Sequence, residues 1–150
     1  MKNVFYLTVF LSAVLTRSVA QEGSIFPKGE KSPNVHHVGN VWLKELNHAD
    51  SVFTFGISVA TFDPGARLDW HVHPGGQILL ITEGIGYYQE KGKGRETVRK
   101  GDVIKCLPGV EHWHGATPKS SFTYIANSPT QRGGTKWLQR VTDEEYNSPK

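Results

Sequence analysis

A chain of 150 residues has room for one domain with a sizeable core. Its net charge of +3 includes Lys2 and Arg17, both in a leader-like N-terminal segment; without them 15 of the 17 Lys and Arg face 14 Asp and Glu, a net +1. That balance gives no footing for nucleic-acid binding, and a single cysteine, Cys106, excludes an internal disulfide, so an ordinary packed core must hold the fold.

In chain order, residues 1–3 carry Lys2, residues 4–15 are almost wholly apolar, and Ser18-Val19-Ala20 places small residues at −3 and −1. This is the layout of a secretory signal peptide cleaved after Ala20, which predicts a secreted or periplasmic protein. The apolar run of about 12 residues is short of the roughly 20 that span a bilayer, so no stable membrane insertion is expected after cleavage. The alternative is a buried N-terminal strand or helix. Residues 21–40 lack a period and read as an extended arm, followed by one domain over residues 41–150.

Within that domain short apolar runs predict strands at 41–45, 53–62, 67–73, 77–83, 86–91, 96–100, 102–106, 111–115 and 122–127. The turns between them are Asp63-Pro64-Gly65, Pro74-Gly75-Gly76, Glu83-Gly84, Gly92-Lys93-Gly94, Lys100-Gly101 and Pro108-Gly109. Many short strands with Gly/Pro turns and no sustained helical period indicate an all-β sandwich or barrel. Thr142, three residues before Glu145, predicts a capped C-terminal helical turn. Lys91, Lys93, Arg95, Arg99 and Lys100, beside Glu90 and Glu96, read as a solvated hairpin loop. Cys106, in the apolar run with Val103, Ile104 and Leu107, reads as a packed small hydrophobe rather than a nucleophile.

Chemistry concentrates in two His-x-His pairs, His71/His73 and His112/His114, which hold four of the seven histidines. Residues i and i+2 of a strand share a face, so each pair projects two imidazoles together. Each pair lies beside a Pro-Gly turn. Neutral imidazole is a preferred ligand of divalent transition metals, so the pattern predicts a metal site. His36, His37 and His48 read as ordinary core or surface histidines.

Gly65-x5-His71-x-His73-x3-Gln77-x6-Gly84 resembles the first motif of the cupin family, with Gln in place of its Glu, and Gly101 through Pro108 to His112 resembles the second. The likeness covers roughly residues 53–127. It implies an all-β double-stranded β-helix, a jelly-roll-like barrel with the metal inside, often as a homodimer or higher oligomer. It also implies His71, His73, Gln77 and His112 as metal ligands. The stretches FDPGARLDWHVHPGGQ, GDVIKCLPGVEHWHGATP and VTDEEY are similar to small bacterial cupins of the (R)-mandelonitrile (hydroxynitrile) lyase type. Those use three His and one Gln, typically with manganese, and His114 matches a pocket histidine of theirs. Two positions depart from their pattern: Leu68 stands where they have a threonine, and Tyr124 where they have a second histidine.

Gln77 gives oxygen without charge, so three imidazoles and an amide leave a divalent centre at a formal +2 that favours an anionic ligand or a developing oxyanion. The amide NH2 needs a partner, for which Glu83 is the sequence candidate; the other reading has Gln77 merely packing in the turn. One divalent ion is expected, manganese first, with iron, zinc or nickel as alternatives. His114 is the first choice of general acid or base, with fifth ligand or pocket lining as the alternatives, and Tyr124 is a hydrogen-bonding partner for a substrate oxygen. Arg67 reads as packing at the barrel rim. Three functions stay open for a small-molecule substrate. The first is a metal-dependent lyase cleaving a C–C bond beside a hydroxyl. The second is a manganese or iron dioxygenase or oxidase acting on a small organic or sugar-derived compound. The third is a non-catalytic metal or small-ligand binder. No helix-turn-helix pattern points to DNA.

Overall fold

The computed structural model describes residues 24–33 and 35–148, so the leader-like segment lies outside the described residues. The strands are β1 Glu30–Lys31, β2 His37–Val38, β3 Val41–Asn47, β4 Phe55–Phe62, β5 Arg67–Leu68, β6 His71–Val72 and β7 Gln77–Glu90. They continue with β8 Glu96–Arg99, β9 Val103–Cys106, β10 His112–Ala116, β11 Phe122–Pro129 and β12 Lys136–Trp137, before the helix α1 Asp143–Asn147. Their ladders are antiparallel and form two sheets that share β7. One sheet runs β1-β3-β4-β11-β7-β9; in the other, β7 lies between β8 and β10, and β10 pairs with both β5 and β6. The result is the curled, jelly-roll-like barrel expected from the strand pattern.

The shared strand corrects the sequence reading. Residues 77–83 and 86–91 are not two strands joined by a Glu83-Gly84 turn but one strand that changes sheets at a bend. Up to Gly84 it pairs with β11; from Gly86 it pairs with β10. Gly84 makes the bend, with φ +74, and a Cβ there would lie 1.9 Å from the Ser121 carbonyl oxygen. An L-residue is strained by that φ and excluded by that contact.

The expected strand 67–73 is broken in the opposite way. Between β5 and β6 the backbone turns to other partners: Asp69 N–H donates to the His36 carbonyl, Trp70 N–H to that of Gln139, and Leu138 N–H to that of Trp70. The ladder is interrupted because the N-terminal arm and the C-terminal segment supply its hydrogen bonds there. The arm is correspondingly more structured than its composition suggests, since β1 pairs with β3 and β2 with β5. β12, absent from the expected strands, pairs with β6 and sets Trp137 opposite His71.

Between the two sheets lies the main core, with Phe62, Leu79, Ile81, Ile104, Cys106 and Phe122 buried together. A second cluster of Trp70, Trp113, Val141 and Tyr146 fastens the C-terminal segment to the outside of the barrel. α1 has the predicted capping box, with Thr142 and Glu145 satisfying each other's backbone N–H. Its Tyr146 hydroxyl donates to the Ala116 carbonyl at 2.7 Å. Arg67, read from the sequence as packing at the barrel rim, is buried, and its guanidinium donates to the Val141 carbonyl and the Asp143 carboxylate while lying over the Tyr146 ring. The basic hairpin is less solvated than its charge predicts. Lys91 lies 4.5 Å from the Trp70 ring and Arg95 3.9 Å from that of Tyr87, so their stems and charges cover the aromatic cluster.

Candidate metal centre

The broken strand and β10 build the centre. His71 in β6 is directly opposite His112 in β10, and their ring centroids are 4.4 Å apart. His73 follows β6 by one residue, where Gly76 and Gly109 N–H groups both donate to its carbonyl and fix the turn. Its ring centroid is 5.0 Å from that of His71 and 5.4 Å from that of His112. His71, His73 and His112 are all buried, and each offers a nitrogen within 4.8 Å of the other two. These three residues could hold a metal ion.

The hydrogen bonds define which nitrogens are free. His71 Nδ1 lies 2.8 Å from the Asp69 carbonyl and His112 Nδ1 2.9 Å from that of Val110. A carbonyl only accepts, so each Nδ1 carries the proton and each Nε2 keeps its lone pair. His73 Nδ1 is 3.3 Å from the Thr135 hydroxyl. The Nε2 atoms of all three are buried without a hydrogen-bond partner among the described residues, as is Gln77 Oε1. Four orphaned lone pairs, three imidazole and one amide, would be costly in an apolar barrel and are the donor set of a borderline divalent ion. The residues present therefore fit a metal of that class.

Burial keeps the imidazoles neutral. Desolvation, then the neighbouring His112, lowers His73 to about 4. Desolvation holds His71 well below the usual histidine range, with the His112 charge next, and it also lowers His112. Neutral imidazole is the ligating form.

Gln77 opens β7, and its Nε2 donates to Ser128 Oγ at 2.9 Å in β11. Glu83 is therefore not its partner. Six residues along an extended strand at ~3.3 Å each put the carboxylate about 20 Å away, beside Thr123. The amide's orientation is set by a hydroxyl on the neighbouring strand, with the nitrogen engaged and the oxygen free.

His114, two residues beyond His112, has both ring nitrogens buried and unpartnered among the described residues. Desolvation, then His71, holds it well below the ordinary histidine range. Its ring centroid is 5.1 Å from those of His71 and Tyr124. Desolvation pushes the Tyr124 phenol well above its usual value, so it stays protonated. A cavity of about 330 Å³ brings these groups together, with His71, His73, Gln77, His114 and Tyr124 in its wall. Leu68 lines it too. His48, as expected, is a surface residue paired with Glu45. His36 stacks on Trp137, and His37 is a core residue whose Nε2 has no hydrogen-bond partner among the described residues.

Three residues at the site went unnoticed in the sequence: Ser128, Thr135 and Trp137. Trp137 lies 5.1 Å from His71, ring to ring, and lines the cavity. Its one sequence signal is an aromatic residue shortly after the Gly133-Gly134 turn, which offers too little alternation to mark a strand.

A barrel of curled antiparallel sheets with a buried histidine cluster on facing strands defines the cupin class. The cupin domain model matches residues 58–126. The chain is 42% identical over 118 residues to an "(R)-mandelonitrile lyase" of Granulicella tundricola, covering 77% of this chain and 89% of that one. Among solved structures, a cupin-like protein of Thermotoga maritima superposes with a TM-score of 0.80 at 45% identity over 82% of this chain and 94% of its own. A cupin 2 conserved barrel domain protein of Rhodopseudomonas palustris reaches 0.63 at 16% identity, covering 77% and 78%, a likeness of fold. The chain belongs to the cupin superfamily.

Proposed function

We propose that the chain is an exported metal-dependent lyase that cleaves a C–C bond in a small hydroxylated substrate of the hydroxynitrile kind. The observation that carries this reading is the set of four orphaned lone pairs, His71, His73 and His112 Nε2 with Gln77 Oε1; His71, His73 and Gln77 line one cavity with the unpartnered His114, and His112 packs against the two histidines. The relative named for mandelonitrile lysis supplies the reaction class.

In this reading His71, His73, His112 and Gln77 hold one divalent ion, manganese first. When bound, it supplies Lewis acidity to a substrate oxygen. The chain's own residues do the rest. His114, kept neutral by burial, takes the substrate's hydroxyl proton on a ring nitrogen as the carbonyl forms, and the C–C electron pair leaves with the departing carbanion, cyanide in the case of mandelonitrile. Tyr124, always protonated, donates a hydrogen bond to a substrate oxygen. Leu68 and Ala126 give part of the cavity an apolar wall against which the substrate's carbon frame packs. Homodimer assembly belongs to the same reading and rests on the family likeness; light scattering of the chain without its first twenty residues tests it.

The test of the reaction is benzaldehyde release from mandelonitrile under argon by the Mn²⁺-loaded chain. Release that disappears in His112→Ala, and falls by about 10²–10⁴ in His114→Ala, supports the lyase. Absence of release with the ion bound rejects it and directs measurement to oxygen uptake.

A further inference from the structure

A second chamber of about 400 Å³ adjoins the metal cavity, and Leu68, Tyr124 and Trp137 border both. Its walls are largely apolar, with Val35, Val41, Leu43 and Phe62 among them. An engineered apolar void of about 150 Å³ is enough to take benzene, so this chamber has room for an aryl group. Ser32, His36 and His37 are the polar residues of the lining besides Tyr124. His37, also in the wall, is 3% exposed, and its Nε2 has no hydrogen-bond partner among the described residues. Neighbouring His36 is engaged in a stack on Trp137, with ring centroids 4.6 Å apart.

The position of His37 is held by the fold. β2 pairs with β5, and His37 is opposite Leu68, one of the residues on the boundary between the chambers. Burial lowers its proton affinity and favours the neutral ring, in which one nitrogen donates and the other accepts. A neutral ring nitrogen in an apolar wall is a costly feature unless a guest satisfies it. A phenolic hydroxyl suits either tautomer, because it can both donate and accept.

Resting on the lyase reading above, we infer that this chamber receives the substrate's side group and that His37 selects a hydroxyl-bearing aromatic ring. The carbinol end of such a substrate lies in the metal cavity and its ring passes Leu68 and Trp137, with the ring hydroxyl at His37 Nε2. His37 is then a specificity residue, remote from the bond that breaks.

Calorimetric titration of the full chain with benzyl alcohol and with 3- and 4-hydroxybenzyl alcohol tests this without requiring turnover. In the wild type at least one hydroxylated isomer is expected to bind about tenfold more tightly than benzyl alcohol, the yield of one buried hydrogen bond. His37→Phe, or His37→Leu if the first variant does not fold, should erase that preference and leave benzyl alcohol within about twofold. Equal affinity for all three alcohols, or a preference that survives loss of the imidazole, overturns the inference. The two readings fail separately. Mandelonitrile turnover without a His37-dependent preference removes only the chamber assignment, whereas the preference without hydroxynitrile turnover removes only the lyase.

Discussion

At the scale of the residue, Gln77 sets the charge of the proposed metal centre. Its amide nitrogen is engaged by Ser128, whose hydroxyl can accept from an amide or donate to a carboxylate. Gln77→Glu therefore keeps its neighbour and adds one negative charge beside three neutral imidazoles. Manganese should be held more tightly, by about tenfold or more in chelator competition, while azide, an anionic probe of the open position, binds more weakly. Unchanged affinity for both would place Gln77 outside the coordination sphere. Cys106 offers a prediction of the opposite kind. Burial pushes its thiol up to about 12. Roughly a thousand-fold less thiolate than at an ordinary cysteine makes it inert to thiol reagents at pH 8 in the native state, with full reaction on unfolding. Rapid native labelling would contradict the packing described.

At the scale of the element, the bend in β7 and the docking of α1 are the two joints of the fold. Gly84→Ala combines the left-handed backbone with a direct clash on Ser121, so the loss in a urea titration should exceed the roughly 1–2 kcal/mol of the backbone term alone. Tyr146→Phe removes the hydrogen bond to the Ala116 carbonyl and leaves the ring; the expected loss is about 1–2 kcal/mol. The elements also show where sequence patterns succeed. His71/His73 and His112/His114 were legible as pairs because strand alternation is local and imidazoles are scarce. The strand that carries the first pair was legible only in part, because its break answers to His36 and Gln139, distant in the chain. Gly84 looked like a turn because a glycine at positive φ serves a turn and a bend alike. Ser128, Thr135 and Trp137 reach the site across 51 to 66 positions, and no short motif encodes such a meeting.

For the molecule as a whole, four neutral histidines in one region make the metal-free protein acid-sensitive. His71, His73, His112 and His114 all have proton affinities below the value of 6.5 expected when unfolded. Between that value and the folded one, the unfolded chain binds more protons, so stability is complete above about pH 6.5 and falls as pH drops towards 4. Urea midpoints at pH 7, 5.5 and 4.5 in excess chelator should decline in that order; a flat series would mean that the imidazoles are not buried neutral. At pH 7, Mn²⁺ at about 100 times its dissociation constant adds roughly 2.7 kcal/mol, a rise of about 5–10 °C in melting temperature. The all-β class and the barrel were legible from turn spacing, since a chain of short strands has few ways to close. The two-chamber interior was not, because it arises from the arm, the C-terminal segment and the barrel together.

The pairing of β12 with β6 has a consequence for time. Trp137 is the edge partner of His71, and Thr135 touches His73, so the two earliest imidazoles of the centre are framed by some of the latest-made residues. During synthesis His71 and His73 are made well before Thr135 and Trp137, so this edge of the site can close only once the chain has been completed past Trp137. The order of translation thus makes the framing of this histidine pair a late event in the making of the chain.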